Sequence, residues 1–299
     1  MTEYSEILKA LNIEFYTSFD LSKASTFRVG GKTDIAVFPK SEEELITSFT
    51  QAKKCGMRVE IIGNASNILF SDNGFDGAII FTRNMSDFSV NDTTIEASCG
   101  VKLSFLSNIA CDNSLSGLEF SYGIPATVGG AVAMNAGAYG GQMSDILVSS
   151  RAYDIKSNKI VCLDNCDHKF DYRNSIFLTN KELICLSSAF DLSKENKDII
   201  KAKMKDNLSE RHSKQPVELP SAGSFFKRPT GYFAAKLIDD CGLKGLTVGG
   251  AMVSKKHAGF IVNYDHATSK DIVLLVELVE KKVFEKFGVK LEREVKYIF

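Results

Sequence analysis

The sequence predicts an α+β fold in more than one domain, and three observations lead there. At 299 residues the chain is long enough for two or three domains. Short apolar strands closed by Pro, Gly or polar turns are interspersed with amphipathic helices whose caps are legible. Between them lies a stretch of another kind, residues 117–141, GLEFSYGIPATVGGAVAMNAGAYGG, rich in Gly and Ala and without a single base. A surface linker would carry charge and Ser; this one carries Ile124, Val128, Val132 and Met134. Gly has no Cβ and admits positive φ, so such backbone can come close to a ligand and turn N–H groups toward it. A dinucleotide pyrophosphate is the commonest ligand with that need. A tight Gly/Ala turn packed against protein is the ordinary alternative.

Composition excludes several classes. The net charge of −1 leaves no basic field for nucleic acid or an anionic membrane. No apolar run reaches the roughly 18 residues of a membrane span. The N-terminus, MTEYSEILKALNI, has early acids and no long apolar run, unlike a signal peptide. A cytoplasmic protein is expected. Seven Cys with no regular framework fit reduced thiols. Cys162 and Cys166 lie near His168, but no second ligand pair follows at zinc spacing, so no metal is expected.

Residues 1–18 predict a short helix and a lead-in. Thr26-Phe27-Arg28-Val29-Gly30-Gly31-Lys32 precedes an apolar strand at 35–38, which Pro39 ends. Ser41 and Glu44 form a capping box for a helix on Leu45, Ile46, Phe49 and Ala52, stopped by Gly56. After a strand at 58–62, Gly63-Asn64-Ala65-Ser66-Asn67 offers small turn-forming residues whose N–H groups can converge on an anion. It is not a G-x-G-x-x-G fingerprint, and the chain has no Walker A run. Strands at 78–81 and 94–97 and a helix at 101–113 lead into the Gly-rich stretch. Hairpin strands at 149–154 and 159–163, a polar-aromatic cluster at 170–175 and one strand across 183–192 follow. A charged helix at 193–211, with Ile199, Ile200, Met204 and Leu208 on one face, is expected to bridge two domains. Then come the loop 221–229, a helix at 232–240 stopped by Gly242, and a strand near 258–263. A long helix capped by Ser269 has a core stripe of Ile272, Val276, Val279, Val283 and Phe287. The alternating run 290–298 is expected to be a strand.

With these residues in hand the chain resembles the UDP-N-acetylenolpyruvoylglucosamine reductases, flavoenzymes of bacterial peptidoglycan precursor synthesis. The resemblance covers nearly the whole chain and rests on motifs in the family's order: TFRVGG, GNASN, YGIPATVGGAVAMNAGAYGG, YRNS, AGSFFKRP, KHAGFIVN and LEREVKYI. It implies two FAD-binding subdomains of the vanillyl-alcohol-oxidase (PCMH) type, at 1–57 and 58–195, and an α+β substrate-binding domain at 196–299. Non-covalent FAD is expected to meet Arg28 and Gly30, the loop Gly63, Asn64, Ala65, Ser66 and Asn67, and, in the Gly-rich stretch, Gly123, Thr127, Gly129, Gly130, Ala133, Asn135 and Gly137. No inserted loop follows the strand after YRNS, so the chain looks like the family's type II, which lacks the type I lid Tyr. Phe299 stands where relatives commonly have Gly.

The implied reaction reduces the enolpyruvyl ether of a UDP-sugar to a lactyl ether, with NADPH as co-substrate. It needs cations or acids at a carboxylate that gains enolate charge, and one proton donor at C2. Arg173 matches the family's active-site Arg; a guanidinium can grip a carboxylate through two parallel bonds. Taken alone, an Arg there would more often be an ordinary ion pair. Glu294 matches the active-site Glu and needs burial to hold a proton, although Glu292 shares its strand parity. Ser224 matches the proton donor; taken alone it is a loop or cap Ser. Tyr172, Lys214, Lys227 and Arg228 are expected near the substrate, Lys214 at the diphosphate, and His257 is expected to be structural. A monomer is expected. An FAD oxidase on the same scaffold and a non-catalytic nucleotide-sugar binder are the competing readings; peroxide yield and a colourless protein, respectively, would favour them.

Overall fold

A computed structural model describes residues 3–299. The helices are α1 Glu3–Ala10, α2 Glu42–Lys54, α3 Leu103–Asp112, α4 Val128–Ala133, α5 Ile176–Thr179, α6 Lys197–Lys214, α7 Ala234–Asp240 and α8 Ser269–Phe287, in addition to short 3-10 turns. By internal packing the chain falls into two units: residues up to 15, 37–64 and 79–210, and residues 16–36, 65–78 and 211–299. Each is assembled from separated segments. The contiguous subdomains 1–57, 58–195 and 196–299 stand as a proposal beside this division.

The first unit is built on a five-stranded antiparallel sheet, ordered Lys159–Asp164, Leu147–Asp154, Leu183–Asp191, Thr94–Ser98, Phe88–Asn91. The hairpin turns at Asn158, which takes φ 54°. Ile95, Ala97 and Phe190 of the sheet share a core with Leu103, Leu106 and Ala110 of α3 and with Val128, Ala131 and Val132 of α4. Thr127 caps α4, its Oγ1 accepting from the Gly130 N–H at 3.5 Å. The Gly-rich stretch therefore contains a short helix, where the sequence marked only close-approaching backbone. In α6, Ile200 and Met204 are buried while Ile199 is 55% exposed, so the apolar face is narrower than its four-residue stripe predicts.

The second unit carries a four-stranded antiparallel sheet, ordered Ser221–Ser224, Phe260–Asn263, Ala251–Val253, Thr247–Val248. Ile272, Leu275, Val276, Val279 and Val283 of α8 are fully buried in its core. Such side chains contribute about 1.5–3 kcal/mol each on burial. The N-cap of α8 is Thr268, one residue before the expected Ser269. Its Oγ1 accepts from the Asp271 N–H at 3.0 Å, and the Asp271 carboxylate accepts from the Thr268 N–H at 3.0 Å. Ser269 instead donates from N–H and Oγ to Asp72, at 2.8 Å each. The expected C-terminal strand is reduced to Lys296–Ile298, which pairs in parallel with Ile68–Phe70.

Thr268→Ala is expected to lower stability by about 1 kcal/mol through loss of the cap. Thermal denaturation measures it, and an unchanged midpoint would show that the α8 start does not depend on Thr268.

Candidate active site

Arg173 lies on a tight turn in the first unit. Asp171 and Asn174 exchange main-chain bonds, N to O at 3.1 and 3.2 Å, and Arg173 between them takes φ 54°. This left-handed conformation is uncommon for a long side chain and persists only where surroundings enforce it. Ser175 supplies part of that enforcement: it caps α5 and its Oγ donates to the Ala133 carbonyl at 2.8 Å. The half-buried guanidinium donates to the Gly137 carbonyl at 3.2 Å and, more weakly, to the Asn135 carbonyl at 3.5 Å. It also lies 5.4 Å from the Tyr172 ring, a side chain that is 49% exposed.

The 63–67 loop meets the Gly-rich stretch at its first two residues. A Cβ on Gly63 would lie 2.1 Å from Thr127 Oγ1, and Asn64 Nδ2 donates to the Pro125 carbonyl at 2.8 Å. The Val128 and Gly129 N–H groups are spent on the Val101 and Cys99 carbonyls at 2.8 Å each, while residues 63–67 and 123–137 carry no charged side chain. That chemistry suits a diphosphate and so fits FAD. Some glycines of the stretch are taken up by the protein's own packing. A Cβ on Gly129 would lie 2.8 Å from Cys99 Cβ, and one on Gly137 2.8 Å from Gln142 Cβ. At Gly130 only Thr127 Oγ1 comes near, at 3.5 Å. Gly123 and Ala133 are half-buried beside them, and Asn135 is 4% exposed.

In the second unit, Arg28 takes φ 54° and is exposed. Asn263 Nδ2 donates to the carbonyls of Phe27 and Arg28 at 3.2 and 3.4 Å. Gly30 has φ 136°, and a Cβ there would lie 2.7 Å from Phe70 Cβ. Both residues line an open cleft of about 450 Å³ with Tyr264, His266 and Thr268. Ala65 takes φ 49° and Ser66 is half-buried.

Ser224 ends its strand, exposed, next to Gly223 at φ 79°. Beyond it, residues 225–227 run antiparallel to 292–294. Glu294 N–H donates to Phe225 O at 2.9 Å, Lys227 N–H to Glu292 O at 2.8 Å, and Phe226 bridges Arg293. Ser224 and Glu294 therefore sit on adjoining paired segments. Arg293 anchors the second segment, donating to both oxygens of Glu280 at 2.6 and 2.7 Å and to Tyr297 Oη at 3.2 Å. Hydrogen bonding to Glu280 raises the Arg293 pKa, and burial pushes Tyr297 up to about 12. The two glutamates of LEREV separate here. Glu292 is exposed and pairs with Lys227 Nζ, whereas Glu294 is half-buried.

Lys214 is the exposed last residue of α6, and nearby Lys256 Nζ donates to the His212 carbonyl at 2.6 Å. Arg228 stacks 4.5 Å over the Phe233 ring. His168 is fully buried, its ring nitrogens bonded to Asp164 O at 2.8 Å and Ser150 Oγ at 2.9 Å, and burial lowers its pKa. Among the described residues no group of three metal-ligating side chains converges. Neither the Arg293–Glu280 anchor nor the bonds of Asn135 were foreseen from sequence: an Arg between two Glu shows no partner locally, and an Asn amid Gly and Ala signals only a turn.

Residues 215–298 match the family described as the C-terminal domain of UDP-N-acetylenolpyruvoylglucosamine reductase. Residues 33–163 match the FAD binding domain. A UDP-N-acetylenolpyruvoylglucosamine reductase of Caldicellulosiruptor bescii is 44% identical over 298 residues, 99% of this chain and 94% of that protein. One of Clostridioides difficile is 47% identical over 279 residues, 93% and 91% of the two chains. The crystal structure of UDP-N-acetylenolpyruvylglucosamine reductase (MurB) from Thermus caldophilus matches with TM-score 0.79 at 32% identity, over 95% of this chain and 98% of that one. A BBE-like protein of Physcomitrella patens, with TM-score 0.50 and 15% identity over 64% of this chain and 45% of its own, shares the fold alone.

Gly63→Ala is expected to destabilise the protein by about 1–3 kcal/mol, since its Cβ has no room beside Thr127. In a Thr127→Ala background the penalty should shrink. Thermal midpoints of the four proteins of this cycle test it; equal penalties in both backgrounds would contradict the close approach.

Proposed function

Because the chain belongs to the UDP-N-acetylenolpyruvoylglucosamine reductase family, we propose that it reduces UDP-N-acetylglucosamine enolpyruvate to UDP-N-acetylmuramate for peptidoglycan synthesis, with FAD as cofactor and NADPH as co-substrate. The observation that carries this reading is the main-chain pairing of 225–227 with 292–294. It puts a hydroxyl and a carboxyl of the kinds the reaction needs, Ser224 and Glu294, on adjoining segments.

When bound, FAD supplies the means to accept hydride from NADPH and return it to carbon. The 63–67 loop and the Gly-rich stretch would hold its diphosphate through main-chain N–H groups, non-covalently, with Arg28 and Gly30 as further contacts. Reduction adds hydride at C3 of the enolpyruvyl group and a proton at C2. Arg173 grips the substrate carboxylate and offsets the charge that grows there. The Gly137 and Asn135 carbonyls fix the guanidinium plane for that task. Ser224 Oγ gives its proton to C2. Glu294, half-buried, is the carboxyl assigned to the enolate. The exposure of Glu292 and its ion pair with Lys227 favour Glu294 over it for that role. Lys214 meets the UDP diphosphate, while Tyr172, Lys227 and Arg228 flank the substrate.

The protein works in the cytoplasm as a monomer. The seven cysteines are free, and among the described residues no helix is long and apolar enough to cross a membrane.

Ser224→Ala is expected to leave flavin bleaching by NADPH near normal and to slow reoxidation by the enolpyruvyl substrate by ~10²–10⁴, the usual cost of lost general acid catalysis. Anaerobic stopped-flow of each half-reaction reads both, and equal slowing would make Ser224 structural. Lys214→Ala should weaken substrate binding roughly tenfold to a hundredfold, matching a charge-assisted contact. A titration of the oxidised enzyme with unchanged affinity would remove Lys214 from the diphosphate.

A further inference from the structure

Asn135 is almost wholly buried, and both ends of its amide are committed to main chain. Nδ2 donates to the Asp171 carbonyl at 3.3 Å, and Oδ1 accepts from the Ser144 N–H at 3.0 Å. A carbonyl can only accept and an N–H only donate, so these partners dictate which way the amide faces. Its own carbonyl receives the Arg173 guanidinium at 3.5 Å. The residue takes φ 41°, a conformation that Asn tolerates better than most residues. Asp171 opens the turn that carries Arg173.

We propose that Asn135 is a positioning residue for Arg173: it ties the 171–174 turn to the Gly-rich stretch and sets where the guanidinium lies. The family resemblance points this residue at the flavin. Its side chain serves the substrate end of the site instead, and Ser175, bonded to Ala133 O, is the second tether of the same turn. The inference rests on the role given to Arg173 above. A guanidinium displaced by about an ångström loses most of its advantage at a carboxylate, roughly a hundredfold in rate.

The test is anaerobic stopped-flow on the flavin-loaded enzyme. Asn135→Gly keeps the positive φ and deletes the amide, while Asn135→Asp keeps the acceptor for Ser144 and deletes the donor to Asp171. Both should leave flavin content, visible spectrum and reduction by NADPH unchanged, and slow reoxidation by substrate roughly tenfold to a hundredfold. Added to Arg173→Ala, Asn135→Gly should cost nothing further. A changed flavin spectrum or affinity, equal slowing of both half-reactions, or a full additive penalty on Arg173→Ala would overturn the proposal. If Arg173→Ala itself reoxidises at the normal rate, the role of Arg173 fails first, and that failure is visible without any Asn135 variant. Should Asn135→Gly not fold, Ser175→Ala must show the same selective loss, and normal reoxidation in that variant would overturn the proposal.

Discussion

The C-terminal segment of the second unit is held in place by main chain. Lys296 N–H donates to Asn67 O at 3.0 Å, Ser71 N–H donates to Ile298 O at 2.9 Å, and Lys296–Ile298 completes a parallel pair with Ile68–Phe70. Asn67 Nδ2 adds a bond to the Glu294 carbonyl at 3.2 Å. Parallel pairing demands a long connection, and here more than two hundred residues intervene. The placement of Glu294 depends on this zipper. It aligns 292–294 against 225–227, sets Glu294 apart from Glu292, and fastens the acid candidate to the end of the loop expected to meet the flavin diphosphate. Arg293, clamped on Glu280 of α8, keeps the segment from rotating.

Four of the residues expected at the site are among the twelve described non-Gly residues with left-handed φ. Arg28, Ala65, Asn135 and Arg173 all adopt left-handed φ values without being Gly. Each such residue costs on the order of 1–3 kcal/mol unless its surroundings compensate. Compensations are visible at Arg28 and around the Arg173 turn: Asn263 under Arg28, and the Asn135 and Ser175 bonds. Backbone held this way is already organised before a ligand arrives, which lowers the ordering cost of binding.

Elements with a local marker were legible in the sequence. The Ser41 cap, the α8 stripe, the Asn158 turn and the glycine stops at Gly56 and Gly288 each carry their own physics within a few residues. Elements that exist because of a distant partner were not. Phe15–Asp20 buries little on either face and shows no alternation, and Ile68–Phe70 is three residues long and a strand only because the C-terminus pairs with it. The same limit governs the site. Motif order points to Arg173, Ser224 and Glu294 as candidates, but parity on an imagined continuous strand could not separate Glu294 from Glu292, because 290–295 is not regular strand. The Gly-rich stretch proved mixed: Gly129 and Gly137 make room for neighbouring chain, so a count of glycines overstates the backbone available to a ligand.

The proposed reaction is a flavin-mediated reduction of an enolpyruvyl ether, and it is tested by the visible spectrum of the purified protein under anaerobic conditions. A yellow protein that bleaches on adding NADPH and regains its colour on adding UDP-N-acetylglucosamine enolpyruvate is the predicted result. A protein that stays bleached until oxygen is admitted, releasing peroxide, would contradict it and point to an oxidase on the same scaffold.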